Sequence, residues 1–301
     1  MADDSENPTM SKRAAKRAAK QELRDQEKRA KKEERAAEVA ERERARVAAQ
    51  EARFAAMSDA ERSEVEALRA EKRQRNAREK AGVDDAFRES CARGCRVAVD
   101  CDFESLMTER EVRSACQQLM YCYGANRRAA APSRILLAGL RGKMAAHMQN
   151  LTGFSSWLAT DVDARPLEDV FATDAARRDV VYLTAESETV LEAVDPATTY
   201  VIGGFVDRNR HKGLTRDKAK RLGLRTARLP IGADMPITLG GASKVLTINH
   251  VFELLVSFQG SGDWAEAGKC LPGRKLAAGA DAERPPDDPP AAGLRGYCAI
   301  C

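Results

Sequence analysis

Apolar positions fall into two regimes along this chain. Between residues 11 and 80 the only large ones are Leu23, Val39, Val47, Phe54, Met57, Val65 and Leu68, and their spacing holds no heptad. The rest of that stretch is mostly Ala, Arg, Lys and Glu, strong helix formers whose opposite charges recur three or four residues apart. The pattern predicts a charged arm over 1–82, helical or disordered, ending at Gly82. From Arg96 onward, short apolar runs alternate with amphipathic stretches. Strands are predicted at Val97–Val99, Ile135–Gly139, Asp179–Thr184, Tyr200–Gly204 and Thr226–Pro230. Helices are predicted at 108–123, 141–149, 186–194, 215–222 and 247–259. This alternation predicts an α/β domain over 83–275, a mainly parallel sheet with helices on both faces. Ligands in such sheets collect at the carboxyl ends of the strands. Here those ends are Leu183-Thr184, Gly203-Gly204 and Leu229 to Gly232. Residues 276–301, rich in Ala, Gly, Pro and Asp, read as a disordered tail.

Charge sharpens this division. Residues 1–80 carry 22 Lys/Arg against 18 Asp/Glu, and the remaining 28 of each sign balance over 81–301. The chain's formal +4 therefore belongs to the arm, which excludes a uniformly basic nucleic-acid coat. The arm's tip is locally basic through Lys12, Arg13, Lys16, Arg17 and Lys20, which suits an RNA grip, a nuclear signal or a plain solvated linker. Within the balanced domain, Asp207 to Arg228 holds nine Lys/Arg against two Asp. A concentration of that kind beside a strand end suits a phosphate-bearing partner. Val112 to Thr160 adds six basic residues and no acid: Arg113, Arg127, Arg128, Arg134, Arg141 and Lys143. If both stretches share one side of the sheet, they form a basic face around Gly203-Gly204.

Several chemistries are disfavoured. No run approaches the roughly 18 apolar residues a membrane span needs, and the acidic start lacks a secretory h-region. Dense Glu over 22–80 speaks against a mitochondrial transit peptide, so the expectation is a nuclear or cytoplasmic protein. The eight cysteines then belong to a reducing compartment. Cys298 and Cys301 form a CxxC without a second pair, a poor zinc site, and Cys is not a usual last residue of a prenylation box. His147, His211 and His250 are widely separated, so no metal site is expected. Neither GxGxxG after the first strand nor GxxxxGK[ST] occurs, which removes the usual phosphate cradles. Gly203-Gly204 would let backbone approach a ligand closely, although a glycine pair also simply makes turns.

The run Gly203-Gly204-Phe205-Val206-Asp207-Arg208-Asn209-Arg210-His211-Lys212-Gly213-Leu214-Thr215 resembles the tRNA (guanine-9-N1)-methyltransferases of the SPOUT class. Other blocks agree in order: Val99 to Phe103, Tyr123 to Arg128, Val181 to Ala185, Ala227 to Gly232, Val245 to Glu253, Asp263 to Ala267 and Leu271 to Lys275. The resemblance covers roughly 96–275. It implies a C-terminal trefoil knot, S-adenosylmethionine (SAM) as cofactor, a tRNA partner and a monomeric enzyme. Carried over residue by residue, it implies a cofactor site of Leu183, Thr184, Gly203, Gly204, Asp207, His211, Thr215, Leu229, Gly232, Thr247 and Asn249. Asp207 would accept the guanine N1 proton, orient the base or only cap the loop. Arg127, Arg128, Arg208, Arg210 and Lys212 would contact RNA. Related enzymes methylate guanine, adenine or both, and guanine is the expectation here. Phe205 replaces a more usual aliphatic residue, and Gly268 stands where a Phe is expected, which would loosen the last helix. Two readings compete with the enzyme: a tRNA-binding subunit of a processing complex with little catalysis, and a nicotinamide oxidoreductase, which the alternation alone permits.

Overall fold

The protein's structure, a computed structural model, describes residues 12–207, 210–232, 235–240 and 246–276. The predicted tail, with Cys298 and Cys301, lies outside them. Its contacts divide the chain into two units, 1–78 and 79–301. In the first unit, α1 (Lys12–Ala55) is followed by the opening turns of α2 (Asp59–Arg93). Helix propensity and short-range ion pairs carry these helices, as in Arg42–Glu38 at 2.8 Å and Arg46–Glu43 at 2.6 Å. Ser58 starts α2 by donating its N–H and hydroxyl to Glu61 Oε2, at 2.8 and 2.7 Å. Leu23, Val39 and Leu68 stay exposed. Gly82 ends nothing: α2 continues through it to Arg93. An exposed helical glycine costs only about 1 kcal/mol, and its helix-forming neighbours outweigh that.

In the second unit the strands are β1 (Arg96–Asp100), β2 (Arg134–Ala138), β3 (Thr160–Asp163), β4 (Val180–Leu183), β5 (Thr199–Gly203) and β6 (Arg225–Ala227). All are parallel, in the order β3-β2-β1-β5-β4-β6. Helix α3 (Glu109–Arg128) follows β1 and α4 (Gly142–Gln149) follows β2. The short helices α5 (Leu167–Val170) and α6 (Asp174–Arg177) precede β4. Helix α7 (Leu214–Arg221) joins β5 to β6, and α8 (Ile248–Ser261) and α9 (Trp264–Gly268) close the unit.

Alternation along the strands sorts the core. Val97, Val99, Ile135, Leu137, Tyr200 and Ile202 face one way, beneath α3, α4, α8 and α9. Ala98, Leu136, Ala138, Tyr182 and Val201 face the other, beneath α5 and α7. Both faces are covered, as near-continuous apolar strands require.

Four further local readings need correction. Residues 186–194 form no helix. Leu191 N–H donates to Arg228 O and Arg228 N–H to Thr189 O, both at 2.8 Å, so tertiary pairing overrides local propensity. β6 stops at Ala227 because the chain turns at Arg228 to make those bonds, and Pro230 has no N–H to extend the ladder. β3 was hidden by composition: Thr-Asp-Val-Asp is an edge strand with Asp161 and Val162 exposed, paired only with β2. Gly268 does not leave a gap in α9. It is buried, and a Cβ there would sit 3.3 Å from Ile237 Cγ1, so Ile237 already fills the space.

Candidate active site at the carboxyl edge of the sheet

The register fixes the site's floor. Asp100 ends β1 opposite Ala138 of β2 and Gly203 of β5. Beside β5, β4 ends at Leu183, and Thr184 N–H continues the ladder to Ala227 O of β6 at 2.9 Å. Leu183, Thr184, Gly203, Gly204 and the segment from Leu229 to Gly232 are thus brought together at the carboxyl ends of three adjacent parallel strands. Thr215, in the first turn of α7, joins them by donating its hydroxyl to Thr184 Oγ1 at 2.9 Å. Leu229 to Gly232 is tightly looped: Ile231 N–H donates to Leu229 O at 2.8 Å, and Gly232 N–H to Ile237 O at 3.0 Å. Thr247 and Asn249 sit at the start of α8, where the Thr247 hydroxyl donates to Asn249 Oδ1 at 2.7 Å. Val206, Leu229, Ile231 and Leu246 pack, half-buried, against the larger core.

The glycine pair has a structural cause of its own. A Cβ on Gly204 would come within 2.7 Å of Asp100 O and 2.8 Å of Val99 Cγ1. On Gly203 it would meet Thr215 Cγ2 and Phe205 Cε1, each at 2.9 Å. The room that glycine gives is taken by the protein's own atoms. Phe205, in turn, packs on Phe103, ring centroids 4.7 Å apart.

Asp207 follows this edge directly. Its Oδ2 accepts the His211 N–H at 2.8 Å, and its main-chain carbonyl accepts from Arg210 N at 3.2 Å and Nε at 2.9 Å. The carboxylate therefore caps the turn that follows this edge. The His211 and Lys212 side chains are exposed, while Arg208 lies outside the described residues. Arg210 reaches back to α3, where it pairs with Glu111 Oε2 at 2.8 Å. Glu111 also accepts the Thr108 N–H at 2.8 Å, closing the capping box of α3, and these bonds hold its carboxyl below the usual range.

The predicted basic face does not form as one patch. α3 starts beside Arg210 and runs back for 20 residues, about 30 Å. Its end, with Arg127 and Arg128, lies against Ser133 at the start of β2: Asn126 and Ser133 exchange two 2.8 Å hydrogen bonds there. Arg127 and Arg128 are therefore at the opposite edge of the sheet from Gly203. Arg127 pairs with Asp84 at 3.5 Å and stacks 4.2 Å over the Phe87 ring. Arg113 and Lys143 both face Glu109, Arg134 faces Asp161, and Arg141 binds Asp102. These acids come from outside the acid-free run, so a linear charge count could not see them.

Sequence reading also missed the groups under the site. Asp100, fully buried, accepts Lys218 Nζ at 2.8 and 2.9 Å and the Tyr182 hydroxyl at 2.9 Å. Burial pushes its carboxyl up, opposed first by the Lys218 ammonium. Glu186 accepts the Gly213 N–H at 3.0 Å and the Thr184 hydroxyl at 2.5 Å. The visible signal was an acid in the Asp100-Cys101-Asp102 run directly after an apolar strand; nothing marked Lys218 among its basic neighbours. A 480 Å³ cavity lies elsewhere, between Val181, Leu191, Tyr200 and Thr226, and contains none of the expected cofactor residues. Among the described residues no His/Cys/Asp/Glu cluster could hold a metal, and no helix is long and apolar enough to cross a membrane.

An all-parallel α/β sheet whose carboxyl edge gathers hydroxyls and looped backbone sets the class, and known proteins narrow it to one family. Residues 8–276 match the family described as tRNA (guanine(9)-N(1))-methyltransferase TRM10/TRM10A, and the chain belongs to that family. It is 35% identical over 188 residues to the human tRNA methyltransferase 10 homolog A, covering 62% of this chain and 53% of the relative. It is 34% identical over 190 residues to the tRNA (guanine(9)-N1)-methyltransferase of Candida glabrata, covering 63% and 65%. The chain thus spans about half the length of the animal relatives it matches. A solved structure of full-length spTrm10 in complex with SAH aligns over 58% of this chain and 93% of that one, at 32% identity and a TM-score of 0.53. A second, spTrm10(74), gives 30% identity and the same TM-score over 59% and 94%.

Proposed function

We propose that this protein transfers a methyl group from SAM to N1 of guanine at position 9 of tRNA. One observation carries the reading: Leu183-Thr184, Gly203-Gly204 and Leu229 to Gly232 converge on one edge, with Asp207 in the segment that leaves it, in a chain of the TRM10/TRM10A family. The groups suit SAM. With the Thr184 hydroxyl already donated to Glu186, the Thr215 and Thr247 hydroxyls, the backbone of the 229–232 loop and half-buried Val206, Leu229, Ile231 and Leu246 offer SAM a partly apolar surface. Such a surface fits a nucleoside cofactor without phosphates, in line with the missing glycine-rich phosphate turn.

When bound, SAM supplies an electrophilic methyl group on a sulfonium. The chain's own task is then largely positioning, holding the acceptor nitrogen in line. Guanine N1 carries a proton at neutral pH, and Asp207 is the group we assign to receive it or to orient the base. Lys212, with Arg208, holds phosphate. Arg210, tied to Glu111, fixes the loop's path. Position 9 lies in the folded tRNA core, so the base must be exposed by local opening. A trefoil knot through the 203–250 segment, a monomeric state and a nuclear or cytoplasmic location belong to the same reading.

Labelled SAM incubated with unmodified tRNA should place label in the RNA. Tight tRNA binding without label would replace the enzyme with a binding subunit. Asp207→Asn keeps an oxygen able to cap His211 N–H, whereas Asp207→Ala does not. Asn is expected to lower methyl transfer at least about 100-fold with SAM affinity nearly unchanged; equal loss of both would make the residue structural.

A further inference from the structure

We infer that Asp100 and Lys218 form a positioning pair that clamps both ends of the 204–213 segment, and so sets where Asp207 points. The inference rests on the site assignment above. Lys218 is one of nine basic residues in the stretch that suggested phosphate binding, yet it does not face solvent. It is 7% exposed, with Nζ 2.8 Å from Asp100 Oδ2, 4.0 Å from Asp102 Oδ2 and 4.6 Å from the Phe103 ring centroid. An ammonium so enclosed is unavailable to a phosphate.

Asp100 holds the segment at two points. Its main-chain carbonyl accepts the Gly204 N–H at 2.8 Å, where the segment leaves β5. Its carboxylate binds Lys218, one turn into α7, where the segment has re-entered regular structure. Tyr182 donates to the same carboxylate at 2.9 Å, and Asp102 N–H at 3.3 Å, which fixes its rotamer from β4 and from the loop after β1. Glu186 and Thr184 brace the far end through Gly213 N–H and the Thr215 hydroxyl. One buried carboxyl residue thus links β1, β4, the glycine pair and α7.

The energetic logic favours a positional role over stabilisation. A buried ion pair is often no more stabilising than an apolar pair of similar volume, but one charge left alone is strongly destabilising. Replacing both charges therefore separates position from stability. Methyl transfer depends on alignment, and displacement by about 1 Å can cost about 100-fold in rate.

The test compares the full-length protein with Lys218→Met and with the double variant Asp100→Asn/Lys218→Met. Lys218→Met alone leaves Asp100 unpaired and is expected to unfold at lower temperature. The double variant is expected to melt close to the parent. Amide hydrogen exchange should quicken at least about tenfold at Gly204 and His211 in the double variant, with Ile135 in β2 unchanged, since the lost Asp100–Lys218 link frees the segment at α7 and leaves the main-chain bond at Gly204 to hold it alone. In the same variant kcat for methyl transfer should fall at least about tenfold, with KM for tRNA and SAM affinity within about threefold. Unchanged exchange at Gly204 and His211 would overturn the inference, and so would faster exchange spread equally to Ile135. Altered exchange with an unaltered kcat would also overturn it. Exchange requires no activity, so a parent protein that transferred no methyl group would contradict the proposed function while the anchoring was still decided.

Discussion

Gly204 shows how much a single residue constrains. No Cβ can be placed there without meeting Asp100 O at 2.7 Å, because the last rung of the β1–β5 ladder passes directly beneath it. Gly204→Ala is expected to push these strands apart and to cost about 1–3 kcal/mol, as overpacking in a filled core does. Urea unfolding measures this; an unchanged midpoint would mean the loop simply relaxes. At this scale the sequence was partly legible. The glycine pair and Asp207 stood out because a strand ends there and basic residues follow. The reason for the glycines was not legible, since the atom that excludes a side chain belongs to a residue about a hundred positions earlier. Lys218 was concealed for the same reason. Its partner lies 118 residues away, and among Lys220, Arg221 and Arg216 it has the appearance of surface charge.

At the scale of elements, the N-terminus of α3 supports the site from the side. Glu111 has two tasks there, completing the capping box with Thr108 and anchoring Arg210. Its carboxyl is held below the usual range, first by the Thr108 N–H. A depressed carboxyl contributes stability that is present above its unfolded value of about 4.3 and is lost as pH falls through its folded value. Glu111→Gln should therefore be less stable than the parent at pH 7, with the difference shrinking below about pH 4; a gap that persisted in acid would tie the loss to shape rather than charge. Most elements were legible because apolar runs of four or five residues mark buried parallel strands. Residues 186–194 were not, because their helical composition yields to pairing with Arg228. β3 was not, because an edge strand covered on one side needs no apolar run. The basic stretch from 112 to 160 misled for a third reason: its charges are answered by Asp84, Asp102, Glu109 and Asp161 from outside it.

Over the whole molecule, the second unit buries Cys91, Cys95, Cys101, Cys116 and Cys122 along with its core and half-buries Cys270. Cys91, Cys95 and Cys116 are each pushed up to about 11 by burial and Cys270 to about 12, and burial also holds Cys101 and Cys122 well above the usual thiol range. None of these six is in a disulfide. A thiol must ionise to react, so at pH 8 iodoacetamide should leave all six unmodified in the native protein and label them only after denaturation, as peptide mass mapping would reveal. Rapid native labelling of Cys101 or Cys122 would contradict the packed core between α3 and the sheet.

The central claim joins that core to a reaction at its carboxyl edge. Its most direct test is methyl transfer from SAM to two unmodified tRNAs that differ only in guanine or adenine at position 9, with the modified nucleotide mapped. The account predicts N1-methylguanosine at position 9 of the first tRNA, lost on substitution of Asp207. Methylation at another position, or none despite bound SAM and tRNA, would contradict it.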